Sequence, residues 1–424
     1  MFVFVLYNRG EIDDKYSFHF RHFEFAGALE AVSGDGSRRI IYENALDYDG
    51  EIEMADHERV YFDESMQYVQ GVDNLQHAIE AAKRCSLVHA IYQVVAIQEN
   101  YVACNEAALA NYGFSDMYVG AANQSYKWCL RVRHYGGDVA SDTKGKRFGH
   151  RARSMQEEKK ALMDMTPLLS KLGGGVDLKN PDCHIYVFNG LKGKTVLARR
   201  VASGPQVFRI APATRICITN TPLCPVAAFS LCNIAGVRNG LSILDPYAGS
   251  CTILLAASMI APEAKTVGIE IAHEGIVNRN DVMRDFETRN LTAPLSLIYG
   301  DSTDDSVRDR ARSLLGDGGG GQEAFDLIVT DPPYGIREST NYNDQLPLSE
   351  LCSSIARDRE MGKPLLKKGG KLVAFVPCTH EENIKECLPS ASKLEQAGLV
   401  LLDMIEQPLN EKLSRWLVSF ECRR

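Results

Sequence analysis

The feature that most constrains the fold is a series of five short apolar segments in the second half of the chain. They are Ser242–Asp245, Thr266–Glu270, Leu295–Asp301, Phe325–Asp331 and Lys371–Pro377. Four of them end on an acidic residue, and segments of helix length separate them. This alternation predicts an α/β fold with a doubly wound, mostly parallel sheet. Because ligands of such sheets bind at the carboxyl ends of the strands, the acids predict a ligand site at that edge.

The first three strand ends have the residue types that a nucleoside requires. Asp245 begins a turn of small residues that passes Tyr247 and Gly249, where the backbone can approach a ligand closely. Glu270 can accept hydrogen bonds from two ribose hydroxyls, and Asp301 can accept one from an adenine amino group. Each feature alone is also found in an ordinary strand end exposed to solvent. Three acids at successive strand ends favour a nucleoside-type ligand.

The motif Asp331-Pro332-Pro333-Tyr334 after the fourth strand is the sharpest chemical signal. Two prolines stiffen the turn and hold the Asp331 carboxylate and the Pro332 carbonyl in fixed directions. Together these acceptors can take both N–H bonds of a planar exocyclic amine. Tyr334 offers a flat face on which an extruded base can stack. The simpler alternative, a bend after a strand, does not explain the acids nearby.

Charge is distributed unevenly along the 424 residues, whose net charge is −8. Residues 1–80 contain 6 Lys/Arg and 17 Asp/Glu, whereas residues 127–160 contain 10 Lys/Arg and 4 Asp/Glu. An acidic chain is not a generic nucleic-acid binder, but the second segment is a local basic patch. The 12 cysteines are scattered without a C-x-x-C pair, which predicts reduced thiols and no zinc site in the chain itself.

The N-terminal region supplies a further expectation. The run Phe2–Leu6 has no basic segment before it, so we interpret it as a buried strand and not as a signal peptide. The long apolar stretch Leu241–Pro262 is interrupted by Asp245, Pro246 and Gly249, which excludes a membrane-spanning helix there.

These motifs resemble those of class I S-adenosylmethionine-dependent methyltransferases that act on the amino nitrogens of bases. The segment Gly174–Asp182, followed by a strand, resembles the end of a THUMP RNA-binding domain. Thr219-Asn220-Thr221 resembles the Gly-Asn-Thr segment that precedes the methyltransferase core in THUMP enzymes, and the long motif Asp331–Glu338 resembles the catalytic subunits of eukaryotic tRNA guanosine-10 N2-methyltransferases. The resemblance covers about residues 70–424. It implies an N-terminal ferredoxin-like α+β domain (1–75), a THUMP domain (76–200) and a Rossmann-like methyltransferase domain (205–424).

The resemblance also implies an activity, a cofactor and partners. The expected reaction transfers a methyl group from S-adenosyl-L-methionine to N2 of a guanosine in tRNA, in the cytoplasm and without a membrane. The expected partners are tRNA and a small zinc-containing activating subunit in a heterodimer. That subunit is expected to cover the strand Leu295–Tyr299 at the edge of the sheet.

Roles follow residue by residue from the same resemblance. The catalytic residues are Asp331, Pro332, Pro333 and Tyr334, and the cofactor-binding residues are Asp245, Tyr247, Gly249, Glu270, Asp301 and Thr221. The residues expected to bind RNA phosphates are Arg131, Arg133, Lys144, Lys146, Arg147, Arg151 and Arg153. The chain departs from the pattern in two places: Cys251 replaces the second glycine of the first motif, and Thr219 replaces the glycine of Gly-Asn-Thr.

Two alternatives remain open from the sequence. The Asp-Pro-Pro-Tyr motif also occurs in enzymes that methylate adenine N6 or guanine N2 in DNA or ribosomal RNA. A non-catalytic tRNA-binding protein derived from a methyltransferase is the other alternative, although it predicts the loss of acceptors that are all present here.

Overall fold

The computed structural model describes residues 4–8, 20–34, 41–43, 66–110, 126–134, 155–191, 193–219, 222–272, 275–316, 324–334 and 346–424. The chain divides into two compact units. The first comprises Met1–Ile12, Arg39–Lys83 and Val88–Gly204, and the second comprises Asp13–Arg38, Arg84–Leu87 and Pro205–Arg424. The division into domains 1–75, 76–200 and 205–424 stays a prediction. Within the described ranges, no helix is both long enough and apolar enough to cross a membrane.

The secondary-structure elements of the described residues are numbered in chain order. The strands are β1 (Phe4–Asn8), β2 (Ile41–Glu43), β3 (Met66–Gln70), β4 (Val88–Gln98), β5 (Lys127–His134), β6 (Gly175–Val176), β7 (Cys183–Leu191), β8 (Lys194–Ser203), β9 (Ser242–Asp245), β10 (Lys265–Glu270), β11 (Ser296–Tyr299), β12 (Phe325–Thr330), β13 (Leu366–Thr379), β14 (Leu399–Pro408) and β15 (Leu413–Cys422). The helices are α1 (Arg21–Ser33), α2 (Leu75–Arg84), α3 (Tyr101–Ala110), α4 (Met155–Asp164), α5 (Thr166–Leu169), α6 (Pro225–Ala235), α7 (Thr252–Ile260), α8 (Arg279–Glu287), α9 (Asp305–Ser313), α10 (Pro347–Glu360), α11 (Ile384–Cys387) and α12 (Ala391–Ala397).

The first unit contains one eight-stranded sheet in the order β2-β3-β1-β4-β8-β7-β5-β6. Its strands come both from residues 1–75 and from residues 76–200. Strand β5 runs parallel to β7, and α3 and α5 pack on one face of the sheet around Met165 and Leu168. The predicted strand at the N-terminus is confirmed as β1, which pairs with both β3 and β4.

The second unit contains a seven-stranded sheet in the order β11-β10-β9-β12-β13-β15-β14. Strands β9 to β13 are parallel, and β15 is antiparallel to both β13 and β14. All five predicted strands are present, so the expectation of a mostly parallel α/β sheet is confirmed. The strand order reverses between β9 and β12, and a switch point of this kind opens a crevice for ligands at the carboxyl ends of the two strands.

Helices cover both faces of this sheet because alternate strand residues point to opposite faces. On one face Ile243, Leu327 and Val373 pack with α6, α7 and α8, and on the other face Leu244 and Ile328 pack with α9 and α10. The sheet is therefore buried on both faces, as the near-continuous apolar strands predict.

Helix α1 packs on α6 within the second unit. Gly27 makes the close approach between the two helices possible, because a Cβ on this residue would lie 2.4 Å from the Asn233 carbonyl oxygen. The buried Glu24 carboxylate accepts hydrogen bonds from the Ser86 amide (2.8 Å), the Leu87 amide (2.9 Å) and the Asn233 side chain (3.1 Å). These contacts connect three separate stretches of the chain.

Candidate active site

The ends of β9 and β12 are joined through a buried carboxyl group. Asp245 is 1% exposed, and its Oδ1 accepts hydrogen bonds from the Thr330 hydroxyl (2.7 Å) and the Tyr247 amide (3.1 Å). Burial, with a smaller contribution from the nearby carboxylates of Asp331 and Glu270, raises the pKa of Asp245 to about 7 although these hydrogen bonds lower it. Three predicted site residues therefore lie close enough to interact electrostatically.

The turn after β9 is held against β10. The Ala248 amide donates to the Ile269 carbonyl (2.8 Å), and the Gly249 amide donates to Glu270 Oε2 (2.7 Å). Glu270 Oε1 accepts from the Ala272 amide (2.8 Å), so both oxygens of this carboxylate are fixed by backbone donors. The site can thus present a rigid acceptor at the end of β10.

Cys251, which stands where the first motif of the resembling methyltransferases has a glycine, adopts a backbone conformation that glycine favours. It precedes α7 with φ 62° and ψ 33°, the left-handed conformation, and its side chain is buried. A glycine adopts this conformation without a steric cost, whereas an L side chain costs about 1–2 kcal/mol. The backbone keeps the shape that the family's glycine would take, and the Cys251 thiol fills the space beneath the turn.

Asp301 follows β11 in a tight turn. Its Oδ1 accepts from the amide and the hydroxyl of Thr303, both at 2.8 Å. The turn is anchored from behind by Arg308, which donates to the Ser302 carbonyl (2.9 Å) and is itself held by the buried Asp358 at 2.7 and 2.8 Å. This support was not predicted from the sequence.

The Asp331–Tyr334 turn contains a hydrogen bond that the motif alone does not reveal. The Tyr334 hydroxyl donates to Asp331 Oδ1 at 2.8 Å, and the positive charge of Arg415 lies nearby. Burial and the Asp331 charge hold the pKa of Tyr334 well above its usual range, so the hydroxyl keeps its proton. The Arg415 guanidinium lies 4.3 Å from the centre of the Phe375 ring, which fixes it in place. Tyr334 therefore sets the direction of the Asp331 carboxylate.

A second buried arginine holds the first turn from the opposite side. Arg215 donates to Asp285 (2.9 Å), to the Thr252 hydroxyl (3.1 Å) and to the Ser250 carbonyl. Asp285 also accepts from the amides of Ile216 (2.8 Å) and Cys217 (3.0 Å). Burial opposes ionisation, but these amides and Arg215 lower the pKa of Asp285 overall. The pair ties the segment before Thr219 to the turn after β9.

The remaining predicted residues are located as follows. The Tyr247 hydroxyl donates to the Pro347 carbonyl at the start of α10 (3.1 Å). Pro332 is buried and Pro333 half-buried beside Asp331. Thr221 and five of the basic residues lie outside the described residues, namely Lys144, Lys146, Arg147, Arg151 and Arg153.

The two described basic candidates share one face of the sheet of the first unit. Arg131 and Arg133 alternate along β5, and Arg131 donates to the Leu178 carbonyl (2.6 Å). Burial lowers the pKa of His184, and Arg200 and Arg131 lower it further. Arg200 thus joins this positive cluster, which the sequence analysis did not include because the residue lies outside the basic segment.

With this geometry established, we compared the chain with known proteins. Residues 212–397 match the UPF0020 family model, described as an RMKL-like methyltransferase domain. The matched residues lie within the second unit. The match includes the turn after β9 and the Asp331–Tyr334 motif.

Curated relatives of this chain are named as methyltransferases that act on guanine N2. The chain is 22% identical over 231 residues to the U6 snRNA (guanine-N(2))-methyltransferase THUMPD2 of Mus musculus, covering 54% of this chain and 37% of the relative. It is 26% identical over 284 residues to the tRNA (guanine(10)-N(2))-methyltransferase TRMT11 of Gallus gallus, covering 58% and 59%. It is 29% identical over 215 residues to the tRNA (guanine(10)-N2)-dimethyltransferase of Methanothermobacter thermautotrophicus, covering 50% and 53%. The chain spans between about a third and three fifths of the length of these relatives.

Proposed function

We propose that the protein is an S-adenosyl-L-methionine-dependent RNA methyltransferase that modifies N2 of a guanosine in tRNA. The observation that carries this proposal is the turn at the end of β12, where the Tyr334 hydroxyl fixes Asp331 beside the strand-end acids. The names of the relatives support guanine N2 as the acceptor and position 10 of tRNA as the target.

The residues of the second unit fit this cofactor. Asp245, Glu270 and Asp331 place three carboxyl groups in one electrostatic neighbourhood, and such a site favours a cationic ligand. We assign Glu270 to the ribose hydroxyls and Asp301 to the adenine amino group. Asp245, Tyr247, Gly249 and Thr221 are assigned to the methionine end. When bound, S-adenosyl-L-methionine supplies an electrophilic methyl group on a sulfonium.

The acceptor residues act on the guanine amine. Its nitrogen lone pair is delocalised into the ring, which makes the amine a weak nucleophile. Hydrogen bonds from N2–H to the Asp331 carboxylate and the Pro332 carbonyl favour a pyramidal nitrogen and localise that lone pair. Positioning and preorganised electrostatics then supply most of the rate. Asp331 does not have to be a strong base, because the methylated amine is acidic while it is cationic.

The stiff turn has a separate role in this account. Pro332 and Pro333 restrict the backbone, and the Tyr334 hydroxyl orients Asp331 through their hydrogen bond. The Tyr334 ring is assigned to stacking with the extruded base. The acceptor geometry therefore exists before the base arrives.

We assign RNA binding to the first unit, which we interpret as the ferredoxin-like and THUMP regions. The described support is the positive cluster of Arg131, Arg133 and Arg200 on one sheet face; the five basic residues outside the described ranges are assigned with them. Each phosphate contact removed should reduce the slope of log affinity against log salt by about 0.7–0.9. Arg133→Ala, compared with Lys171→Ala on the same unit, tests this.

The small zinc-containing activating subunit is also part of the proposal. Strand β11 lies at the edge of its sheet, as predicted, and Leu295 beside it is 47% exposed. An uncovered apolar edge promotes association, so we assign the partner to this edge. A chain that is soluble, monomeric and fully active when expressed alone contradicts the assignment. We propose the cytoplasm as the location of the reaction.

The function is tested by transfer of labelled methyl from S-adenosyl-L-methionine to unmodified tRNA and U6 snRNA transcripts. The chain is co-expressed with the activating subunit, and the products are digested to nucleosides. N2-methylguanosine from tRNA, absent with Asp331→Ala, supports the proposal. Label in U6 snRNA alone, in adenine or in DNA means that the substrate assignment is wrong. Bound tRNA without any transfer favours the non-catalytic alternative.

A further inference from the structure

A second cluster of reactive side chains lies in the second unit, in the segment that follows β13. Cys378 is near the end of β13, Glu382 lies in the bend that follows, and Cys387 is the last residue of α11. The two sulfurs and a carboxylate oxygen of Glu382 lie within 4.8 Å of one another. None of these residues has a role in the proposed methyl transfer.

Hydrogen bonds hold Cys378 and Glu382 in this arrangement. The Cys378 thiol donates to the Glu382 backbone carbonyl at 3.5 Å. The Thr379 amide (2.8 Å) and the Thr379 hydroxyl (2.7 Å) both donate to Glu382 Oε2, which orients the carboxylate and leaves Oε1 for a ligand contact. Fixed donors around a ligating side chain are what a metal site requires beyond its ligands.

The cluster is accessible to an ion and to water. Cys378 and Glu382 line a pocket of about 330 Å³, together with His380 and Ser414. The two cysteines are only 4% and 6% exposed, whereas Glu382 is exposed. The cluster therefore joins two thiols at the edge of the core to a carboxylate at the surface.

We propose that Cys378, Cys387 and Glu382 bind a zinc ion, with solvent from the pocket at the fourth position. Two thiolates exclude magnesium and calcium, which bind through oxygen, and a tetrahedral site with sulfur ligands is typical of zinc. The donor atoms lie within 4.8 Å of one another, so small side-chain rotations bring all three onto one tetrahedral ion. A C-x-x-C search misses this site because its cysteines are nine positions apart.

The ionisation of the ligands gives the proposal a chemical signature. Burial and the neighbouring Cys378 together raise the pKa of Cys387 to about 12. Burial also raises the pKa of Cys378. Both thiols are therefore protonated at neutral pH without a metal. Zinc binding forms two Zn–S bonds and releases two protons to the buffer, while Glu382 is already ionised.

Metal content of the full-length chain, expressed alone in zinc-supplemented medium and purified with a phosphine reductant, tests the site. We expect about one zinc ion per chain in the wild type and less than about 0.1 in Cys378→Ser and Cys387→Ser. Glu382→Gln should bind zinc more weakly. Cys422→Ser, which changes a thiol that is equally buried, and Glu381→Gln, which changes the adjacent exposed acid, should keep the ion.

A second measurement does not depend on metal acquired during expression. Titration of metal-free protein with cobalt(II) should give thiolate-to-cobalt charge-transfer absorption that requires Cys378 and Cys387, and zinc should displace it. A metal-free wild-type chain that shows no such absorption overturns the proposal. Zinc retained by both cysteine variants overturns it too.

Discussion

The buried carboxyl group of Asp245 makes a prediction that does not depend on catalytic activity. Its pKa is raised from 3.8 to about 7, chiefly by burial. Between these values the folded chain holds a proton that the unfolded chain releases. Ionisation therefore costs folding free energy, and the unfolding free energy must fall as pH rises from about 4 to 7.

The magnitude follows from the size of the shift. Since one pKa unit corresponds to about 1.36 kcal/mol, the cost at pH 8 exceeds the cost at pH 5 by about 2–3 kcal/mol. Asp245→Asn keeps the acceptor for Thr330 and Tyr247 but has no charge to bury. From pH 5 to pH 8, the unfolding free energy of Asp245→Asn should therefore rise by about 2–3 kcal/mol relative to that of the wild type. A constant packing cost of the amide cancels in this comparison.

Urea unfolding at both pH values measures the difference. The chain has two tryptophans, Trp128 and Trp416, so a Trp128→Phe background makes the fluorescence report on the second unit alone. Asp326→Asn is the matched control. Although burial opposes it, Lys367 and Ser242 lower the pKa of Asp326, so this group stays ionised throughout the range. A wild-type chain and an Asp245→Asn variant with the same pH dependence would refute the reasoning, because Asp245 would then be ionised when folded.

Three further predictions concern the supports of the site. Tyr334→Phe removes the hydrogen bond to Asp331 and should lower kcat by about 10–100-fold, since a hydrogen bond to a charged group contributes about 1.5–3 kcal/mol. The KM for the cofactor should not change. An unchanged kcat would exclude the role of Tyr334 in orienting Asp331. Cys251→Val should destabilise the chain by about 2 kcal/mol or more, because a β-branched residue enters the left-handed conformation. Cys251→Gly should change the stability by less than about 1 kcal/mol. Equal losses of stability in thermal unfolding of the two variants would contradict the conformational explanation. Arg215→Ala leaves Asp285 with Arg289 and two backbone amides as its partners, and the lost charged hydrogen bond should cost about 1.5–3 kcal/mol in urea unfolding. A loss below about 0.5 kcal/mol would count against the clamp.

The sheet was predictable because its signal is local. Each parallel strand is a short apolar run. The acids Asp245, Glu270, Asp301 and Asp331 stand at or just after the ends of these runs, so their place at the carboxyl ends of the strands follows from the direction of the chain. Their convergence then requires only that parallel strands end at the same edge.

The supports of the site were not predictable in the same way. Arg215 and Asp285 are 70 positions apart, and no periodicity connects them. The hydroxyl bond from Tyr334 to Asp331 depends on the shape of the Pro-Pro turn, and the association of α1 with the second unit depends on packing at Gly27. Such contacts arise from tertiary structure, which a single sequence does not encode in a pattern of spacing.

The most direct test of the account replaces the acceptor atom itself. A tRNA transcript with inosine at position 10 lacks the exocyclic amine but keeps the rest of the base. Methyl transfer to this transcript and to the matching guanosine transcript is measured with the wild-type chain and the proposed activating subunit. The account predicts transfer to guanosine and none to inosine, with similar binding of both RNAs. Equal transfer to the two transcripts would contradict it, since the methyl group would then be placed elsewhere.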